Sequence, residues 1–354
     1  MRSAAIALAI VLGTACSGGS ASHTASPATT STTAPRPTSA IAWSHLRNPL
    51  FASKTYAAKD PALVDTGDGW VALYSRVDAS GTWRIGLNRS RDLVAWSLVG
   101  AVPHDPAIPG EASPDVVRAP DGAYVVTYQS SPRDRAGAQS KLYARTTRDF
   151  HAFSAPIRLL ANLHAAPGDR LIDAALVYSP AGLLLGYKLG TTDPGSVQHF
   201  ELARSPSGRL SGPWQLIGRP NIVVYGDTIE NYQFLPAKAG SSAPWQLLAT
   251  SNQFDRPELF TLRGDPATAS GWLDWSPART LAVPQESWND GKGITGATYE
   301  HANSAFLVDR RAVDGYAYLV YEDAPDMSTF GGQGHGRLAL ARSQDLAHWV
   351  VPPG

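Results

Sequence analysis

Asp60, Asp173 and Glu230 head short apolar segments in a chain only 17 % charged, and His301 heads another. Carboxylates brought together raise one another's pKa by like-charge repulsion. A carboxyl that keeps its proton near neutrality and a second that stays ionised are the two groups general acid–base catalysis needs. Cleavage of a glycosidic bond uses such a pair on opposite sides of the scissile atom. Each residue also has a plainer reading. Aspartate before proline opens turns, buried acids bond loop backbone, and a lone histidine is usually a satisfied structural residue. Their common position in a repeat favours a site, since clustered titratable groups in a cleft mark function.

The five segments read Asp60-Pro61-Ala62-Leu63-Val64, Ser113-Pro114-Asp115-Val116-Val117, Asp173-Ala174-Ala175-Leu176-Val177, Glu230-Asn231-Tyr232-Gln233-Phe234 and His301-Ala302-Asn303-Ser304-Ala305-Phe306. Aligned on their apolar residues, they make Asp60, Ser113, Asp173, Glu230 and His301 equivalent. Each is followed by a turn and an aromatic-rich strand, as in Asp68-Gly69-Trp70-Val71-Ala72-Leu73-Tyr74 and Asp314-Gly315-Tyr316-Ala317-Tyr318-Leu319-Val320-Tyr321. A third strand comes next, as in Leu338-Ala339-Leu340-Ala341-Arg342-Ser343, then a turn such as Asp345-Leu346 before Trp349. No long stretch has helical spacing. One motif recurring five times in order predicts an all-β, five-bladed β-propeller with four antiparallel strands per blade, in preference to a β-sandwich. The leading residues then ring one mouth of the axial channel.

The N-terminal part reads differently. Arg2, an apolar run over 4–12 and Gly13-Thr14-Ala15-Cys16 describe a secretory signal over 1–16, of lipoprotein type with Cys16 as the lipidated residue. Gly13 stands where such signals usually carry leucine. Residues 17–40 are nearly all Ser, Thr, Ala, Gly and Pro, a tether that cannot build a core. The propeller is expected over 41–354, in an extracellular or cell-surface protein held to the membrane only by a lipid anchor. With 30 basic and 30 acidic residues, nothing points to nucleic acid. The single cysteine excludes a disulfide framework. A monomer is expected.

From about Asn48 to Val351 the sequence resembles glycoside hydrolase family 43, the five-bladed arabinanase, arabinofuranosidase and xylosidase family. Lys59-Asp60-Pro61 resembles its first-blade aspartate motif, Ser113-Pro114-Asp115-Val116 its second-blade segment, Ile172-Asp173 its third-blade motif and Ile229-Glu230 its fourth-blade glutamate. The resemblance implies inversion on arabinofuranosyl or xylosyl linkages. Asp60 would be the base, Glu230 the acid, and Asp173 the residue that positions the acid and keeps its proton on. His301, followed by Asn303-Ser304, resembles a fifth-blade histidine beside an axial ion or water. No cofactor is required; an axial calcium or sodium ion, with His301 as its ligand, is the metal the resemblance suggests. The chain departs from the pattern where Asp173 precedes Ala174, where Glu230 precedes Asn231-Tyr232 and at Ser113, so the walls of the sugar pocket must differ.

Glu111, Ser113, Gln233, Trp288, Glu300 and His301 lie near the strand starts and are the expected carbohydrate contacts, with Trp288 suited to stacking on a sugar ring. Three rivals share the fold. A non-catalytic carbohydrate-binding propeller would keep the aromatics without needing all three acids. A fructan hydrolase would need a nucleophile motif that Lys59-Asp60-Pro61-Ala62 lacks. A sugar phosphorylase would need a phosphate pocket, for which Arg118, Arg170 and Arg256 have no distinctive spacing.

Overall fold

The computed structural model describes residues 41–130, 140–163, 169–191, 198–222, 229–237, 244–251, 256–286, 288, 302–323 and 336–353. Cys16, the signal segment and the tether lie outside them, as do Glu300 and His301.

Among the described residues, twenty strands form five sheets of four, each from consecutive strands. Blade 1 is β1 (Tyr56–Asp65), β2 (Trp70–Asp78), β3 (Trp83–Ser90) and β4 (Trp96–Ala101). Blade 2 is β5 (Glu111–Arg118), β6 (Tyr124–Ser130), β7 (Leu142–Thr147) and β8 (Ile157–Arg158). Blade 3 is β9 (Asp169–Ser179), β10 (Gly182–Thr191), β11 (His199–Ser205) and β12 (Gln215–Gly218). Blade 4 is β13 (Ile229–Leu235), β14 (Gln246–Ser251), β15 (Arg256–Thr261) and β16 (Arg279–Thr280). Blade 5 is β17 (Asn303–Asp309), β18 (Ala317–Asp323), β19 (Arg337–Ser343) and β20 (Trp349–Val350). All pairings are antiparallel, and β1, β5, β9, β13 and β17 contact one another in a ring. The architecture is the five-bladed propeller that the repeat predicts.

The repeated residues have identifiable tasks. In the turn between third and fourth strands, Ser90, Thr147 and Ser343 accept the N–H of Leu93, Phe150 and Leu346 at 2.8–2.9 Å. Asp92, Asp149 and Asp345 each accept two further backbone N–H groups. These side chains replace ladder bonds where the chain reverses. In the second strands, Tyr74, Tyr128, Tyr187 and Tyr321 are buried, and their hydroxyls bond Asn88, Arg145, Glu201 and Glu286. Each thereby satisfies the polar tip that burial would otherwise leave unpaired.

Blade faces are apolar on both sides and pack against their neighbours; one such core joins blades 3 and 4 through Leu184, Phe200, Phe234, Phe260 and Trp272. At the seam between blades 5 and 1, no strand is exchanged among the described residues. Asn48 instead bonds both N–H and C=O of Leu340 at 2.9 Å, and Phe51 bridges to Leu338.

Gly186 lies where the rings of Phe200 and Phe234 close over β10; a Cβ there would overlap the Phe200 ring and lie 3.1 Å from Phe234. Gly186→Ala should therefore overpack the interface of blades 3 and 4 and lower unfolding free energy by about 1–3 kcal/mol, measured by urea denaturation. An unchanged midpoint would show that this interface is looser than described.

Candidate active site

Each inner strand is broken at the same place by a β-bulge. The ladder slips between Lys59 and Ala62, Ala112 and Asp115, Glu230 and Gln233, and Asn303 and Phe306, and opposite β10 between Gly186 and Lys188. At each slip one non-glycine residue is left-handed: Asp60 (φ 47°), Ser113 (50°), Asp173 (55°), Asn231 (53°) and Ser304 (49°). Asp, Asn and Ser have short polar side chains, and Asp and Asn are among the non-glycine residues that tolerate this region best. The bulge re-aims the side chain. All five line one axial cavity of about 20 Å³, room for about one water.

This corrects the equivalence drawn from the sequence in two blades. The residues matching Asp60 are Asn231, not Glu230, and Ser304, not His301. Glu230 sits one residue earlier, so its side chain leaves the strand in another direction.

Four donors converge on Asp60. Oδ2 accepts from Ser75 Oγ at 2.7 Å and Ser113 Oγ at 3.3 Å; Oδ1 accepts from Asn231 Nδ2 at 3.0 Å and Ser304 Oγ at 3.1 Å. Its backbone N–H donates to Glu322 Oε2 at 3.1 Å. Glu322 is buried, with Lys59 Nζ 3.6 Å from its other oxygen. Asp173 is buried and donates its N–H to Gln129 Oε1 at 2.6 Å, while its Oδ2 has no hydrogen-bond partner. Burial, then the negative charges of Glu230 and Asp60, push the Asp173 carboxyl up to about 7 against the pull of Lys188 and Ser113.

Glu230 experiences the opposite balance. Its side chain is 24 % exposed and Oε2 lies 2.9 Å from Lys188 Nζ, itself buried. Burial raises the carboxyl, but the charge and hydrogen bond of Lys188, with Lys59 and Arg170 behind it, outweigh burial and hold Glu230 below its ordinary value. Of the two carboxyls in the free protein, Asp173 therefore holds a proton more readily than Glu230.

A second pattern links the blades. The second-strand residues facing the pre-bulge positions are Ser75, Gln129, Lys188, Thr250 and Glu322. Three of them accept a bulge N–H from the next blade: Ser75 from Ser113 at 2.7 Å, Gln129 from Asp173 and Glu322 from Asp60. Lys188 has no lone pair to offer and reaches the Glu230 carboxylate instead.

No family model matches the sequence, and no curated protein matches it. Solved structures do match. A xylan β-1,4-xylosidase from Bacillus halodurans C-125 superposes with TM-score 0.58 at 15 % identity, over 86 % of this chain and 56 % of that one. The chain thus spans just over half the xylosidase's length. A thermostable family-43 glycoside hydrolase gives 0.57 at 12 % identity over 86 % and 95 % of the two chains. An α-L-arabinofuranosidase from Lactobacillus brevis gives 0.55 at 12 % over 87 % and 98 %.

The chain shares the fold of a family-43 glycoside hydrolase. At such identities the likeness is one of architecture, and the site rests on its own geometry.

Among the residues singled out by sequence, Asp60, Ser113 and Asp173 meet at the cavity, and Glu230 is close enough for its charge to act on Asp173. Glu111 does not reach it: the side chain is buried, 3.4 Å from His104. Gln233 is spent elsewhere too, its carboxamide donating to Leu307 O at 2.9 Å and accepting from Leu307 N at 2.7 Å. Trp288 is half-buried against the blade 4–5 core. Among the described residues no cluster of histidines, cysteines and acids could hold a metal. The axial cavity is lined by Asp60, Ser113, Asp173, Asn231 and Ser304, while His301, the expected ion ligand, lies outside the described residues. Lys188, Glu322, Asn231 and Ser304 were not singled out; the legible signal was a charged residue directly after the buried tyrosine in Tyr187-Lys188 and Tyr321-Glu322.

Asp115 lines the same cavity and is buried; desolvation lifts its carboxyl to about 7 against two backbone hydrogen bonds. Its raised folded pKa gives a stability contribution fully present below about pH 4 and lost as pH rises through about 7. Asp115→Asn should remove that loss, gaining a few kcal/mol relative to wild type at pH 8 and little at pH 4. Thermal melts at both pH values check this; an equal shift at both would contradict it.

Proposed function

We propose that the chain is an exported glycoside hydrolase, tethered at the cell surface through Cys16, that cleaves arabinofuranosyl or xylosyl linkages with inversion. The geometry that supports this reading is that Asp60 and Asp173, from two blades, line one axial cavity, with the Lys188-bound carboxylate of Glu230, from a third blade, close enough for its charge to act on Asp173. The fold shared with a xylosidase and an arabinofuranosidase supports it.

Glu230 protonates the glycosidic oxygen as the bond from the anomeric carbon breaks. Asp60 takes a proton from the water that forms the new bond on the opposite face. Asp173 carries the reserve proton beside the acid. Inversion needs the acid and base carboxyls about 6.5–9.5 Å apart, leaving room for the water. No metal takes part in these steps, because two carboxyls supply both proton transfers.

The Lys188–Glu230 ion pair favours a second reading, capture of glycan without turnover, because a carboxyl held ionised does not donate a proton. One experiment separates them. Aryl arabinofuranosides, aryl xylosides and the matching polysaccharides are screened with wild type, Glu230→Gln and Asp60→Asn. Turnover by wild type, reduced about 10²–10⁴-fold in each variant, with the first-formed sugar of inverted anomeric configuration by proton NMR, is the expected outcome. Binding without release of product would select the capture module, and a retained configuration would remove the inverting mechanism.

A further inference from the structure

Lys188 is the one cation among the five second-strand residues that face the pre-bulge positions. Ser75, Gln129 and Glu322 each brace the backbone of the next blade's bulge; Lys188 instead spends its ammonium on the Glu230 carboxylate, 2.9 Å away, from a strand whose neighbours are apolar. A side chain so thoroughly buried, in a strand of leucines, is costly without such a partner. Replacing the pattern's acceptor with a donor thus has a specific result: it ties blade 3 to the acid rather than to the bulge.

We infer that Lys188 is a positioning residue for Glu230, fixing the carboxyl at the mouth and keeping it ionised in the free protein, so that turnover is confined to the acid side of neutrality. The inference rests on the glycosidase reading of the site. Among the described residues, the titratable groups acting on Glu230 include Lys59 on β1, Arg170 and Asp173 on β9, Lys188 on β10 and Tyr232 on its own strand, whose hydroxyl is bound to Ile229 O. Of the three cations, Lys188 makes the direct contact and dominates. Its ammonium is in turn favoured by Glu230 and Asp173 over the burial that opposes it. The proton that Glu230 delivers must first be taken up by a carboxylate already paired with Lys188, so the protonated acid form is scarce at neutral pH and grows as pH falls.

The full chain is tested as wild type, Lys188→Met and Lys188→Arg. Lys188→Met keeps an unbranched buried side chain and removes the charge; Lys188→Arg keeps the charge. With the glycoside that the screen selects, the alkaline limb of kcat/KM should lie below pH 7 in wild type, move up by about 1–3 pH units in Lys188→Met, and stay in place in Lys188→Arg. In parallel, ¹³C-carboxyl NMR of glutamate-labelled protein follows the Glu230 resonance, identified by its loss in Glu230→Gln, and should show the same upward movement in Lys188→Met without any substrate. A Glu230 titration unaltered in Lys188→Met, or an alkaline limb unmoved in that variant, overturns the role of Lys188. Absence of turnover on every glycoside would sink the glycosidase reading alone, because the NMR titration still decides what Lys188 does.

Discussion

The structure depends on a local backbone choice made five times: one left-handed residue that breaks the innermost strand of every blade. A strand buried on both sides has no reason of its own to present polar side chains inward. The bulge supplies one, turning Asp60, Ser113, Asp173, Asn231 and Ser304 into one shared cavity. Non-glycine residues rarely adopt this conformation, and it persists only when surroundings over-determine it. Here they do, since Ser75, Gln129 and Glu322 reach from the preceding blade to hold the N–H group that the bulge frees. The site and the packing between blades are therefore one network.

That network divides its charges unequally. Asp60 is surrounded by donors, Asp173 is desolvated beside two negative neighbours, and Glu230 faces a lysine. Three chemically similar carboxyls are thereby placed in three distinct environments, the condition under which one site can hold an acid and a base together. From the sequence, Asp173 is expected to keep a proton on Glu230 by repulsion, and Glu230 also meets the ammonium of Lys188. Lys188 pulls the other way.

The sequence displayed the blade repeat clearly, because turn chemistry such as Ser343-Gln344-Asp345-Leu346 and the buried second-strand tyrosines recur with the same task in successive blades. It also displayed Asp60, Ser113 and Asp173 as equivalents. The fourth and fifth blades were misaligned for a physical reason. Inner strands are buried on both faces, so Tyr232-Gln233-Phe234 and Ala305-Phe306-Leu307-Val308 lack the period-two alternation that fixes register. An apolar run slides past another without penalty, and only backbone dihedrals show that the inserted residues are Asn231 and Ser304. The role of Lys188 is not legible in the sequence, because the partner that makes it informative lies in another blade. Glu111 and Gln233 sit near the right strand starts, but Glu111 is buried beside His104 and the Gln233 carboxamide is taken up by the backbone of Leu307 in blade 5.

The central claim is that acids from three blades act on a single glycosidic bond. A crystal structure of Asp60→Asn with an arabino- or xylo-oligosaccharide tests it most directly. A sugar ring should lie over the axial cavity, its glycosidic oxygen within hydrogen-bond distance of Glu230 and its anomeric carbon facing position 60 across a water. An oligosaccharide seated elsewhere on the propeller, touching neither Glu230 nor the bulge residues, would contradict it.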